Sequence, residues 1–560
     1  MFRAMFTVGG FTLMSRLLGF IRDKLIANLL GGGHLADVWI TAFRLPNLFR
    51  RIFGEGAFNA AFVPMYSRKI EEEGDAAADD FGSRVTSLMF VILIICFVVC
   101  FIFMEPLVRV IAAGFEGNKF ELAVDASRIT LGYLIFVCLM AAFSGVLNSR
   151  RVFGTPSFAY VLLNIVFIVG MLIFLPEAFG LKMMTEPAEA FTVPVETLTE
   201  AQIDSGAFSM FTERQQEAVK VLGWCVLGAG VLQLGLVMIS AYRNGIRFRF
   251  RLPKIDSDVK KLGLLMTPGL ASAGVQQINL LVGQTVASLQ GGGQSMIFYA
   301  DRINQLPFGL IGIAAGIVLL PEIARSLRGD GIEKARENIA RGIEMSLLIA
   351  LPATVATLVI PKEMIYALFE GGRFTAENAS DAGRALAAFA IGTPAYIIVR
   401  VLQTGYFGRE DTKTPMRFTI ASAATNIVLA YPFYLWMGPA GCALATSVAG
   451  WVNVVLLWVG LRKDGLLRMA KGFTSRGIRM LISSALMGAT VWAAAHFSNP
   501  WLMAPGQFIQ RVAILCVICG LGIVVYFGFV FVTRVYSVAD VKAIMKRGGG
   551  GKSDQSKTES

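Results

Sequence analysis

The segment FTLMSRLLGFIRDKLIANLL, residues 11–30, is followed after a glycine-rich turn by ADVWITAFRLPNLFRR, residues 36–51. Both stretches are apolar enough to form helices at membrane depth, where 1.5 Å per residue carries about 20 residues across a hydrocarbon core of about 30 Å. Yet they hold Arg16, Arg22, Lys24, Arg44, Arg50 and Arg51. An arginine at the bilayer centre costs about 2.5–3.5 kcal/mol on insertion scales, so these helices insert only if their cations face protein, water or an anionic ligand. They are expected to line a hydrated cavity.

The rest of the chain supports a membrane setting. Of its 560 residues 55% are apolar and 16% charged, and mean hydropathy is +0.62, against roughly 25% charged residues in soluble domains. Apolar runs predict about fourteen membrane-spanning helices, so the fold class is an all-α integral membrane protein with both termini on one side. Lys and Arg gather in the loops near 66–84, 148–156, 242–261, 325–341, 408–417 and 461–479 and in the tail from 534. That asymmetry places those loops and both termini in the cytoplasm. The first run contains Arg16 and Arg22 and has no small-residue cleavage site, so it reads as a retained helix and not as a signal peptide.

Several chemistries are disfavoured. The seven cysteines all lie in apolar runs, where even Cys516 and Cys519 read as small apolar residues and no disulfide is expected. His34 and His496 stand apart, and no cluster has metal-ligand spacing. A membrane-embedded transferase or phosphatase would need clustered acids or histidines on one face. The segment from Tyr242 to Lys261 alternates Arg243, Arg247, Arg249 and Arg251 with Phe248 and Phe250. It reads as a surface for anionic headgroups, not for nucleic acid. The acidic stretch 177–217 reads as a partly ordered external loop, and the end from Arg547 as a flexible tail.

The chain also repeats itself. Phe115-Glu116-Gly117-Asn118-Lys119-Phe120 returns as Phe369-Glu370-Gly371-Gly372-Arg373-Phe374. Arg150 with Thr155-Pro156 returns as Arg409 with Thr414-Pro415, and Pro64 with Arg68 as Pro321 with Arg325. The copies lie roughly 255 residues apart, which spans six helices and predicts a parallel six-plus-six repeat. The expected domains are a first lobe at 1–245, a second at 246–465, two further helices at 466–535 and a cytoplasmic tail at 536–560.

Within the helices the cations follow patterns. Ser15 and Arg22 share one stripe of the first helix, Arg16 and Asp23 another, with Gly19 between them. Asp37, Arg44 and Arg51 keep a seven-residue spacing, Asn47 and Arg50 lie beside them, Pro46 interrupts the ladder, and Glu55 follows Arg51 by four. A later helix offers Asp301-Arg302, Asn304, Gln305 and Pro307. Guanidinium presents a planar fork that matches phosphate oxygens, so Arg22, Arg50 and Arg302 are candidates for a phosphate clamp. The competing reading pairs them internally with Asp23, Asp37, Glu55 or Asp301. Lys24 and Arg511 read as snorkelling or structural cations.

The runs Ser15 to Asp23, Ala36-Asp37 and Arg44 to Phe58, with Tyr299-Ala300-Asp301-Arg302, Leu319-Leu320-Pro321 and Thr414-Pro415, resemble the MurJ (MviN) lipid II flippase family of the multidrug/oligosaccharidyl-lipid/polysaccharide exporter superfamily. The resemblance spans nearly the whole chain. It implies two six-helix lobes plus two C-terminal helices forming a groove for a lipid tail. It also implies a non-enzymatic function: moving undecaprenyl-pyrophosphate-linked peptidoglycan precursor from the cytoplasmic to the periplasmic leaflet of the bacterial inner membrane by alternating access. Substrate contacts are implied at Arg16, Arg22, Arg50 and Arg302, and further roles at Ser15, Asp23, Asp37, Asn47, Glu55 and Ser295. No metal or cofactor is implied; coupling to membrane potential or a monovalent cation is. Implied partners are lipid II, membrane lipids and the peptidoglycan synthesis machinery. The chain departs from some family members in carrying Gln305 where they have a glutamate. The nearest alternatives are a flippase of another polyprenyl-linked saccharide and a non-transporting scaffold for peptidoglycan partners. A drug exporter for cations would need acids where this chain has arginines.

Overall fold

The computed structural model describes residues 2–51, 57–180, 210–249, 255–314, 320–327, 331–469, 472–533 and 535. The first half contains α1 (Phe2–Leu30), α2 (His34–Phe49), α3 (Ala57–Glu73), α4 (Asp75–Ile102), α5 (Met104–Ile111), α6 (Gly117–Leu131), α7 (Tyr133–Ser149), α8 (Gly154–Phe174) and α9 (Glu213–Arg243). There follow α10 (Ser257–Ala287), α11 (Gly293–Ala314), α12 (Leu320–Arg325), α13 (Ile332–Val359), α14 (Pro361–Phe369) and α15 (Ala376–Phe407). The last are α16 (Lys413–Met437), α17 (Pro439–Lys463), α18 (Phe473–Leu502) and α19 (Phe508–Val532).

Among the described residues ten helical segments are long and apolar enough to cross a membrane. They coincide with ten of the predicted spans. The other four predicted spans fall on α1, α2, α10 and α11, which do not meet that combined standard of length and composition; α2 has 16 residues. All four are interrupted by polar residues: cations on α1 and α2, Gly, Ser, Gln and Asn along α10, Asp301-Arg302 on α11. Helices of this kind persist at membrane depth only when their polar faces meet protein, water or ligand.

The helices form two compact units. One comprises 1–299, 369–382 and 426–442, the other 300–368, 383–425 and 443–560. Within the first unit α10 is bound to the end of α5 and the turn after it. Thr285 donates to the carbonyls of Val110 and Ile111, and the Gly114 N–H donates to Ser288 Oγ at 3.1 Å. The later segments join the same unit through Arg373 N–H to the Asn28 carbonyl (2.9 Å) and Asn426 Nδ2 to Asn279 Oδ1 (2.8 Å). The first unit is cored by α2, α3, α4, α7 and α8 around Trp39, Phe62, Phe81, Tyr133 and Phe167. In the second unit α18 and α19 pack against α13 around Met487, Val491, Leu515 and Tyr526.

The sequence repeat is matched by repeated local structure. α7 ends with Arg151 N–H bonded to the Asn148 carbonyl and Val152 N–H to that of Leu147. α15 ends with Glu410 N–H to Phe407 and Asp411 N–H to Tyr406. Both are Schellman caps with the left-handed position held by a non-glycine residue, Arg151 (φ 62°) and Glu410 (φ 64°). The same cap closes α9 at Gly245 and α17 at Gly465.

The segment before α10 is more embedded than a headgroup-facing surface requires. The Phe248 ring lies tilted against Phe143 with centroids 5.1 Å apart, and the Arg249 N–H donates to Ser83 Oγ at 3.1 Å, while the side chains of Arg247 and Arg249 are exposed. Residues 250–254, the loop at 181–209 and the tail from 536 lie outside the described residues. Of the loop's flanks, Arg214 is bonded to Glu177 (2.8 Å) and Glu217 (2.9 Å). Arg511 is no snorkelling cation: it is 1% exposed and sits over the Tyr366 ring at 5.1 Å.

Candidate functional site

Four side chains tie α1 to α8. Arg22 donates through Nε and Nη2 to Asp23 Oδ1 (3.0 and 2.7 Å) and through Nη1 to Asn164 Oδ1 (3.0 Å). Its guanidinium lies 5.4 Å from the Phe167 ring. Asn164 Nδ2 in turn donates to the Ser15 carbonyl at 3.0 Å, and Ser15 Oγ donates to the Tyr160 carbonyl at 3.2 Å. Ser15 and Arg22 thus meet on the stripe that the 100° periodicity defines, one turn either side of Gly19. Arg22 and Asp23 are both buried. A guanidinium carries five N–H donors, and the three named bonds leave two for another acceptor. Asn164 was missed in the sequence, although a lone amide in the apolar run of α8 is a legible signal. Arg16 is exposed and makes no hydrogen bond or ion pair among the described residues.

On α2 the sequence stripe divides. Asp37 is fully buried and accepts from Lys119 Nζ (2.9 Å), the Gly292 N–H (2.8 Å) and the Ser295 N–H (2.9 Å). Its carboxylate therefore caps the N-terminus of α11, where the first amides lack intrahelical acceptors and the helix dipole favours negative charge. Ser295 Oγ donates to the carbonyls of Gly32 (2.5 Å) and Gly292 (2.8 Å). Thr41 donates to Gln294 Oε1 at 2.6 Å. Asp37 and Ser295 come together, and Lys119, Thr41 and Gln294 complete the cluster. Lys119 stood in the repeated turn, a position the sequence marked as structure without marking its chemistry.

Arg44 and Arg50 are half-buried and Arg51 is exposed. Asn47 Nδ2 donates back to the Phe43 carbonyl at 2.8 Å, one turn before Arg50 and Arg51, where the helix widens into a π turn after Pro46. Glu55 lies outside the described residues. In the second unit Arg302 is half-buried on α11. Gln305 donates to Asp301, and Thr393 donates to Asn304 Oδ1 at 2.7 Å. An amide at 305 can donate to Asp301, whereas an ionised glutamate there could not.

A cavity of about 560 Å³ opens between α3 and α10, and its charged lining residues, Arg68 and Lys261, are both cations. The nearby acids Asp258 and Asp256 are bonded instead to Lys69 (2.9 Å) and Arg84 (3.2 Å). Among the described residues no group of His, Cys, Asp and Glu could hold a metal ion.

The sequence profile described as lipid II flippase MurJ matches residues 26–513. The chain is 38% identical over 544 residues to a probable lipid II flippase MurJ of Rhizobium tropici, covering 97% of this chain and 96% of the relative. It is 30% identical to the lipid II flippase MurJ of Burkholderia cenocepacia, covering 95% and 97%. A solved lipid II flippase MurJ in an inward closed conformation superposes with a TM-score of 0.70 at 23% identity, over 97% of this chain and 99% of that one. An inward-facing multidrug resistance MATE family transporter of the MOP superfamily superposes at 0.63 and 16% identity, over 81% and 95%. Both structural likenesses concern the fold.

Proposed function

The chain belongs to the MurJ lipid II flippase family and is a lipid II flippase, a transporter and not an enzyme; from that premise we propose that Arg22, Arg50 and Arg302, with Arg16, engage the substrate's pyrophosphate during alternating access. The observation that supports this most is Arg22. It is a buried guanidinium held in one orientation by Asp23 and Asn164, with two N–H groups left to donate. A preoriented planar fork binds phosphate without losing further side-chain freedom. Ser15 and Asp23 set the orientation of that fork. Asp37 and Ser295 close the end of the helices opposite the basic loops, and Asn47 shapes the turn that carries Arg50. Glu55 keeps the role the resemblance implies. Arg302 supplies a further phosphate contact in the cycle.

Direction and coupling follow from charge. With the basic loops and both termini in the cytoplasm, an inside-negative potential favours outward movement of a pyrophosphate by about 2.3 kcal/mol per charge per 100 mV. The same potential favours return of the cationic side chains toward the inside once the anion has left. Membrane potential thus assists both halves of the cycle. The site of action is the bacterial inner membrane, with membrane lipids and the peptidoglycan synthesis machinery as neighbours.

The test is purified full-length protein in liposomes with labelled lipid II, with and without an imposed potential. Arg22→Ala and Arg302→Ala are each expected to lower flux about 100-fold, the scale of losing a charge-assisted bidentate contact. Wild-type flux in either variant would remove that residue from the phosphate contacts.

A further inference from the structure

Lys24 is a buried cation of α1 that phosphate binding does not use. It is 9% exposed, and its ammonium donates to Asn28 Oδ1 (2.6 Å), the Phe369 carbonyl (3.0 Å) and the Glu370 carbonyl (2.5 Å). Three directed donors meet three oxygens. The two carbonyls lie at the C-terminal end of α14, where carbonyls lack intrahelical donors and a cation is favoured. Around this contact the turn lies close on α1: Arg373 N–H donates to the Asn28 carbonyl, and Gly32 N–H to Asn378 Oδ1 at 3.2 Å. A Cβ on Gly371 would stand 2.9 Å from both the Lys24 ammonium and Asn28 Oδ1. The fit therefore depends on the absence of a side chain there.

A buried ammonium is tolerated while its donors are filled, and desolvation costs several kcal/mol when they are not. Such a contact is either made or abandoned to water. Lys24 follows Arg22 by two residues, about 3 Å along the same helix axis. A shift of α1 by an ångström or so at Arg22 carries the ammonium beyond the roughly 3.5 Å at which a hydrogen bond ceases.

We propose that Lys24 is a positioning residue for transport, latching the 369–374 turn to the external end of α1 and holding that end shut until α1 is displaced. The trigger rests on the phosphate-binding role of Arg22: pyrophosphate drawing on Arg22 displaces α1 and withdraws Lys24 from the carbonyls. The latch itself does not need that role.

The experiment uses full-length protein with its seven cysteines replaced and one reporter cysteine added, probed with a membrane-impermeant maleimide. Ala36→Cys, buried at the external end of α2, reports external opening; Ala61→Cys, lining the α3–α10 cavity, reports cytoplasmic access. Without substrate, Lys24→Met is expected to raise external labelling of the first about 10-fold and lower cytoplasmic labelling of the second, a shift between two states. Asn28→Ala, which leaves the carbonyl contacts, is expected to move both in the same directions by less, and it decides the matter alone if Lys24→Met does not accumulate. Unchanged labelling overturns the latch. So does a rise at both reporters, which marks general loosening. An Arg22→Ala arm in the liposome assay separates the two ideas. Normal flux there with a positive Lys24 result removes the phosphate trigger and keeps the latch, whereas lost flux with unchanged labelling removes the latch alone.

Discussion

The turns at 115–120 and 369–374 share one sequence pattern, phenylalanine, glutamate, glycine, a variable residue, a cation and phenylalanine, yet their charges are used in opposite directions. In the first copy the turn gives a cation away: Lys119, 4% exposed and 3.9 Å from the Phe115 ring, reaches Asp37 of α2. In the second copy the turn receives a cation, Lys24 of α1, on two backbone carbonyls. The backbones differ as well: residues 117–120 open α6, whereas Gly371 and Phe374 bond each other across a tight turn. The first turn faces α2 and the second faces α1, and each supplies what its partner lacks. The pair at 150–156 and 409–415 behaves likewise: Arg150 is bonded to Asp79 and Arg409 to Asp464, each at 2.8 Å. The caps match, but Asp411 takes the place of Val152 and accepts the amides of Lys413 and Thr414.

The comparison breaks most visibly at Asp37. Asp37→Ala leaves the Lys119 ammonium buried without its carboxylate and strips two amides of α11 of their acceptor. A loss of about 3–5 kcal/mol is expected, measured as a large fall in the thermal midpoint of the detergent-solubilised protein. Recovery of most of that loss in Asp37→Ala with Lys119→Met would show that the uncompensated ammonium is the main cost. A midpoint near that of the wild type would mean that the first turn is not held by charge.

A smaller effect separates the glycines of the two turns. Gly117 (φ 49°) and Gly372 (φ 57°) both adopt left-handed backbone, where a Cβ costs about 1 kcal/mol. A Cβ at 117 would meet nothing within 4 Å, whereas at 372 it would run into the backbone carbonyl of Asn28. Gly372→Ala is therefore expected to lower the thermal midpoint clearly more than Gly117→Ala. Equal effects would show that the second turn yields more readily than its packing implies.

The smallest effect lies in the turn at 409–415. The amide of Thr414, then its side chain and the amide of Lys413, hold the Asp411 carboxyl below its usual range. A lowered folded value gives stability that is present above the unfolded value of about 3.9 and is lost as pH falls through the folded one. Asp411→Ala is expected to cost about 0.5–1 kcal/mol at neutral pH, with part of the difference from wild type fading below about pH 4. A pH-independent difference would assign the whole effect to the turn's shape.

Much of this was legible in one dimension. Hydropathy located the ten apolar spans because burial in lipid demands about 20 apolar residues in succession, a local property. It also located the four polar helices, three of which stood out as runs interrupted by Arg16, Arg22, Arg44, Arg50 and Arg302. The 100° rule put Ser15 and Arg22 together. The same rule could not say that Asp37 leaves the arginine stripe, since Asp37, Arg44 and Arg51 are evenly spaced and periodicity is blind to what lies opposite each of them.

The sequence by itself determined that the chain is a helical membrane protein, that it is built twice over, and that its first two helices carry cations needing a polar environment. These follow from composition and spacing, because lipid penalises exposed charge residue by residue. Only the tertiary structure decided which cations are matched and by what. Asp37 meets Lys119 and the amides of α11, Arg22 meets Asn164, and Lys24 meets two carbonyls of a turn some 345 residues away. Hydrogen bonds form over about 3 Å and depend on direction, so the partners of a buried charge are fixed by folding and not by order along the chain.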